Sequence, residues 1–227
     1  MKKLILPFLL FFFGSQAYAQ QTIFNVPSVE ITQKNKTFLQ HESQFRGENH
    51  GEFYNSANYF AHGIGNNTEI DVTQFNLSSP ASRNVSIGVG AKTVFELDKE
   101  NPYQHKIMFG AMLPISLQGN GVGHWLYGAY SITLPQTNTR FTAGFSSGTK
   151  QMFSKNVNAF MGGIEQKITD KFSLIGDWYS GNQSWGLAAV GFSYALPKDF
   201  TIYAGRQITN SKRIARNSYV IEIATIF

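Results

Sequence analysis

His41 and Ser43 are the residues of this sequence whose types and spacing could perform chemistry. Residues two apart in a β-strand point to the same face, so this imidazole and this hydroxyl would lie side by side. An adjacent imidazole can remove the hydroxyl proton and make the serine a nucleophile, provided that a third polar group orients the ring. Asn55 and Asn58 follow shortly, but nothing in the pattern selects either as that third group.

A histidine and a serine at this spacing are common by chance, and no Asn/Gly-rich segment adjoins the pair. We therefore predict that the chain is not an enzyme, with His41 and Ser43 as the residues on which the opposite hypothesis would rest. The remaining histidines are scattered and the chain has no cysteine, so we predict no metal site and no cofactor.

The chain that must position these residues is a succession of strand-like runs separated by turn signals. We predict twelve strands in an all-β, antiparallel transmembrane barrel, since an even number is typical of single-chain bacterial barrels; ten or fourteen also fit the spacing. Alternate connections are short, and the others are longer and polar, which favours a barrel over a soluble β-sandwich. The predicted runs are 37–45, 53–63, 68–78, 84–96, 103–116, 121–134, 138–146, 156–168, 171–180, 184–196, 199–207 and 216–227.

The last strand has one apolar face with an aromatic ring at each end, formed by Tyr219, Ile221, Ile223, Thr225 and Phe227. This strand resembles the assembly signal of Gram-negative outer-membrane β-barrels, and the start of the predicted mature chain, 22–28, is similar to that of small barrels of this class. The resemblance implies an outer-membrane location, contact with outer-membrane lipid and recognition by the barrel-assembly machinery through this strand. It implies no activity and leaves the oligomeric state open.

The N-terminus is typical of an exported protein. Lys2 and Lys3 precede a short apolar run and a small-residue cleavage site at 17–19, so we predict a signal peptide over 1–19. Residues 20–36 are then expected to form a periplasmic lead-in that can enter the barrel mouth, and 37–227 to form the barrel. The net charge of +5 comes without a basic cluster, so we do not expect nucleic acid as a partner.

Charged side chains recur on the polar faces of these strands, where lipid contact would cost too much free energy. An interior of this kind is either a plug of neutralised charges or the lining of a narrow pore. Seven of the charges are acidic and four are basic, so an open pore would weakly prefer cations. The residues predicted to face the lumen are Glu42, Glu69, Asp71, Lys92, Glu96, Lys106, Arg140, Glu165, Lys167, Asp177 and Glu222.

These observations predict an outer-membrane barrel that acts as a porin-like channel for small solutes or as a structural barrel. The alternative is a lipid-modifying hydrolase, because outer-membrane lipid hydrolases place a His and a Ser two apart on the lipid-facing side of a strand.

Overall fold

The computed structural model describes residues 21–46, 53–78, 85–153 and 155–227. The predicted signal peptide, 1–19, lies outside the described residues. The described part contains one short helix, α1 (Lys150–Phe153), and twelve strands: β1 (Thr37–Arg46), β2 (Phe53–Gly65), β3 (Thr68–Ser78), β4 (Ser86–Glu96), β5 (Gln104–Ser116), β6 (Trp125–Leu134), β7 (Thr139–Gly148), β8 (Val157–Lys167), β9 (Phe172–Tyr179), β10 (Leu187–Ala195), β11 (Phe200–Thr209) and β12 (Ser218–Ile226).

The strands form one closed antiparallel barrel in which each pairs with its sequence neighbours and β12 pairs with β1. At the closure, Phe38 lies opposite Ile226 and Phe45 opposite Tyr219. The predicted fold class and strand number are therefore confirmed. Two predicted strands begin later than expected, because 121–124 and 184–186 belong to connections; Gly121 has a φ of 79°, which a regular strand does not allow.

The two ends of the barrel differ. The terminal end carries the start of β1, the end of β12 and five connections, of which four have two to four residues and one, 97–103, has seven; the six connections at the loop end have six to eight residues. Asn66 and Asn67 have φ values of 51° and 52°, and Lys198 and Asp199 have 63° and 59°. Positive φ at both central residues is the backbone of the tight hairpin turns that match strand twist. Asparagine tolerates this region, which explains why the sequence turns at 66–67.

The outer surface of the barrel is apolar because residues alternate between inside and outside along every strand. An apolar exterior around a closed sheet is what a bilayer requires, since closure lets neighbouring strands satisfy one another's backbone groups. No helix in the described residues is long and apolar enough to cross a membrane. Large outward apolar residues include Phe95, Phe109, Leu113, Leu126, Phe145, Phe160, Leu174, Val190, Ile208 and Ile221.

The lumen contains the chain's own N-terminal segment, residues 21–36, which we call the plug. It forms a small hairpin in which the Ile23 amide donates to the Val26 carbonyl (2.8 Å) and the Ser28 amide donates to the Gln21 carbonyl (3.0 Å). Four of its apolar side chains, Ile23, Phe24, Val26 and Val29, are buried. Small residues in the wall make room for it: a Cβ on Gly163 would collide with the Ile23 side chain.

We expect Gly163→Leu to disturb the packing of the plug, at a cost of about 1–3 kcal/mol in folding free energy, because it overfills the contact with Ile23. Limited proteolysis of the folded protein in detergent should then cut the plug faster than in the unmodified chain. Gly162→Leu is the matched control, since a Cβ there meets only one atom, at 3.9 Å. Equal cutting of both variants would contradict this account of the wall.

Candidate functional site

Asp177 of β9 fixes the tip of the plug. Its Oδ2 accepts hydrogen bonds from the backbone amides of Phe24 (2.9 Å), Asn25 (2.5 Å) and Val26 (2.7 Å), and its Oδ1 accepts one from the Asn25 side chain (3.3 Å). Hydrogen bonds to a charged acceptor are stronger than neutral ones. The carboxylate, which is buried, thus serves as the main polar anchor of the plug tip.

A buried ion pair holds the middle of the plug. Lys92 Nζ lies 3.0 Å from Glu69 Oε1, and neither side chain is exposed. Lys92 also donates to the Ser28 carbonyl (3.0 Å), while Glu69 Oε2 accepts from the Thr32 amide (2.7 Å). Two strand residues of opposite charge therefore each bind the plug backbone, and the pairing offsets the desolvation of both.

A second ionic cluster joins the plug to β7 and β8. Arg140 makes two parallel hydrogen bonds of 2.8 Å to Glu165 and also pairs with Glu30 of the plug. The Lys106 Nζ atom lies 3.9 Å from Glu30 Oε1. Burial acts to raise the pKa of the Glu30 carboxyl, but Arg140 and Lys106 outweigh it and hold that pKa below its ordinary value. Glu30 is consequently an anion at neutral pH and completes the network.

Glu42 and Glu222 lie opposite each other across the β1–β12 pairing, and both are buried. Neutral donors contact them: the Tyr59 hydroxyl donates to Glu42 (2.9 Å) and the Gln40 amide donates to Glu222 (2.6 Å). Among the described residues, neither carboxyl forms an ion pair with a basic side chain. Glu42 lines a cavity of about 170 Å³ together with side chains such as Tyr54 and Arg216.

Aromatic rings fill the lumen towards the loop end. Phe153 of α1 packs against Trp185 with ring centroids 5.5 Å apart, and Trp125 lies 5.8 Å from Trp185. The Trp125 indole donates to the Tyr179 hydroxyl (3.3 Å), which also hydrogen-bonds Ser146. The lumen is therefore occupied by the plug and by this aromatic cluster.

Most of the charges predicted to face the lumen contact the plug, each other or inward neutral groups. Glu96 and Lys167 differ: their side chains are 40% and 41% exposed at the terminal end, beside Lys99 and Asp170. Glu30 was not among the residues predicted to face the lumen, because its position there depends on how residues 20–36 fold. The predicted lumen-facing residues that the structure buries fully or almost fully are Glu42, Glu69, Asp71, Lys92, Glu165, Asp177 and Glu222.

The outer wall carries a polar cluster formed by His41, Ser43, Asn58 and Gln74. His41 Nε2 lies 2.9 Å from Ser43 Oγ, and His41 Nδ1 lies 2.7 Å from Asn58 Oδ1. The Asn58 amide donates to Gln74 Oε1 (2.6 Å). The structure thus brings the two sequence candidates together with an orienting amide, whose identity the sequence left open between Asn55 and Asn58.

Strand register explains this cluster. His41 lies opposite Asn58 in the β1–β2 pairing, and Asn58 lies opposite Gln74 in the β2–β3 pairing. All three point outward at one level of the barrel. The register of β2 against β3 shifts between Ser56 and Asn58, a bulge of the kind that redirects side chains near functional sites.

No protein-family model and no curated protein matches this chain. Solved structures do. The KdgM porin, solved in complex with disordered oligogalacturonate, is 12% identical, with 85% of this chain and 99% of that chain covered and a TM-score of 0.55. The chain has the fold of the outer-membrane porins. The NanC porin gives 14% identity, 83% and 98% coverage and a TM-score of 0.54.

We expect Lys92→Met to lower the stability of the barrel by about 3–5 kcal/mol, because it leaves the Glu69 carboxylate buried without its cation. The measurement is the temperature at which the folded band is lost on heated gels. Lys99→Met is the control, since the Lys99 side chain is 75% exposed. An unchanged transition in the Lys92 variant would show that this ion pair does not support the plugged state.

Proposed function

We propose that the protein is a porin-like barrel of the outer membrane whose passage is closed by its N-terminal plug and conducts small solutes when the plug moves. The carrying observation is that polar contacts hold the plug: Asp177, Glu69 and Arg140 each bind it. Hydrogen bonds and ion pairs of this kind can be exchanged for water as a lumen opens, which supports a removable closure.

The lumen favours cations in this proposal. Glu42, Glu222 and Asp177 are inward carboxyls that accept hydrogen bonds from neutral donors. When the plug moves and water enters the lumen, these carboxyls ionise, and carboxylates along a low-dielectric passage attract cations and repel anions. The oligogalacturonate of the KdgM structure is an anionic polymer, so the charge of this lumen supports a different solute.

The location and partners follow the same proposal. The outward apolar belt supports contact with outer-membrane lipid, and Tyr219, Ile221 and Ile223 of β12 are exposed on that belt. We propose that the barrel-assembly machinery recognises this strand together with Thr225 and Phe227, and that residues 1–19 are removed during export from a Gram-negative cell.

Planar-bilayer recordings of the folded protein test the plug. Asp177→Asn keeps the side-chain size but removes the charge that accepts three backbone hydrogen bonds, a loss of roughly 1.4 kcal/mol or more. We expect the frequency of openings to rise about tenfold or more. Asp170→Asn is the control, because Asp170 lies in an exposed turn at the terminal end.

A variant lacking residues 21–35 should conduct steadily if the plug is what closes the passage. If this variant does not conduct although circular dichroism shows its barrel to be folded, the protein is instead a structural barrel.

Selectivity is tested by the reversal potential in a salt gradient. We expect a weak preference for cations that fades near 1 M salt, where the Debye length is about 3 Å. A reversal potential of anion-selective sign would contradict the assigned lining.

A further inference from the structure

The polar cluster on the outer wall lies where contact with lipid makes polar groups unfavourable. His41 and Asn58 are exposed on the side of the barrel that faces lipid, close to the apolar side chains of Leu39, Phe60 and Ile223. A polar or ionisable group at such a position costs free energy, and the cluster limits the cost by hydrogen-bonding within itself. Barrel stability alone would favour apolar residues here, so the cluster calls for a function.

The hydrogen bonds define the state of each member. Asn58 donates its amide to Gln74 Oε1, which turns Asn58 Oδ1 towards His41 Nδ1. The oxygen is an acceptor, so in the neutral imidazole Nδ1 carries the proton and Nε2 is free to accept. Ser43 Oγ, 2.9 Å from Nε2, is then the donor. This chain of contacts has the order nucleophile, base and orienting group that nucleophilic catalysis requires.

We infer that His41, Ser43 and Asn58 form a hydrolytic site for acyl esters of membrane lipids. Ser43 Oγ attacks the ester carbonyl while His41 Nε2 takes its proton; the carbon–oxygen bond to the alcohol breaks, and His41 returns the proton to the departing alkoxide. Water then attacks the acyl–serine ester with His41 again as base, and the fatty acid leaves as Ser43 regains its proton. Asn58 is a positioning residue that holds the ring and its tautomer.

An adjacent groove suits the acyl chain of such a substrate. It has a volume of about 490 Å³, and its walls include His41 and Asn58 together with the apolar side chains of Leu39, Phe60, Val72 and Ile223. Because the groove opens on the outer wall, an acyl chain can lie in it without leaving the bilayer. An ester anchored in the membrane in this way lies beside His41, whose Nε2 contacts Ser43 Oγ.

The experiment uses the whole folded barrel in detergent with two probes, phosphatidylethanolamine mixed micelles and lipid A micelles, and measures released fatty acid. We expect release from at least one of the two, and the probe that is hydrolysed distinguishes a phospholipid from a lipopolysaccharide substrate. Ser43→Ala and His41→Ala should each lower the rate by about 10²-fold or more. A fluorophosphonate should also label the unmodified protein covalently, and Ser43→Ala should abolish the labelling.

Two further variants separate positioning from structure. Asn58→Leu should reduce both fatty-acid release and labelling, whereas Asn58→Asp, which keeps an oxygen acceptor for Nδ1, should restore them. His105→Ala is the matched control, because His105 lies at another outward position where it contacts Tyr130. A folded wild-type barrel that releases no fatty acid from either probe and is not labelled at Ser43 would overturn the inference, as would activity that persists in Ser43→Ala.

Discussion

The constraint on which this structure depends is that a backbone inside lipid must satisfy every amide and carbonyl internally. A sheet can do so only by closing, and here closure is completed where β1 pairs with β12. Once the sheet is closed, the two-residue period of a strand assigns each side chain to the lumen or to lipid. Glu42 therefore lies inside while His41 and Ser43, its immediate neighbours, lie outside. One strand contributes to two chemically different surfaces.

The inside surface combines apolar packing with ionic and hydrogen-bonded contacts to the plug. Breaking a buried pair such as Lys92 and Glu69 leaves an uncompensated charge, so these contacts specify one position for the plug more strongly than they add stability. Apolar side chains of the plug pack in the middle of the lumen, and the aromatic cluster around Trp185 continues this packing towards the loop end. Apolar filling therefore runs from the plug to the loop end, and the polar contacts to the plug are added to it.

Sequence periodicity predicted the barrel and its strand number, and the turn at 66–67 lies between two of the predicted runs, because alternation and turn chemistry are local properties. It could not choose Asn58 as the partner of His41, since that contact depends on register between β1 and β2 and on a nearby bulge. It likewise omitted Glu30, whose pairing with Arg140 joins residues far apart in the chain. The sequence pattern therefore predicted which polar residues matter. Their contact partners depend on how the strands and the plug pack together in the closed sheet.

The position of the plug restricts the order of events during biogenesis. Residues 21–36 are synthesised before any strand. Their contacts nevertheless include Asp177 of β9, which lies 152 residues after Asn25 in the chain. Once β1 and β12 have paired, the plug can no longer enter the lumen through the barrel wall. Either the hairpin is held within the curling sheet before the last seam forms, or it enters afterwards through the terminal end, where Lys34 pairs with Gly63. In both cases the covalent link to β1 gives the segment a short tether, so its return to the lumen is an intramolecular step that does not depend on protein concentration.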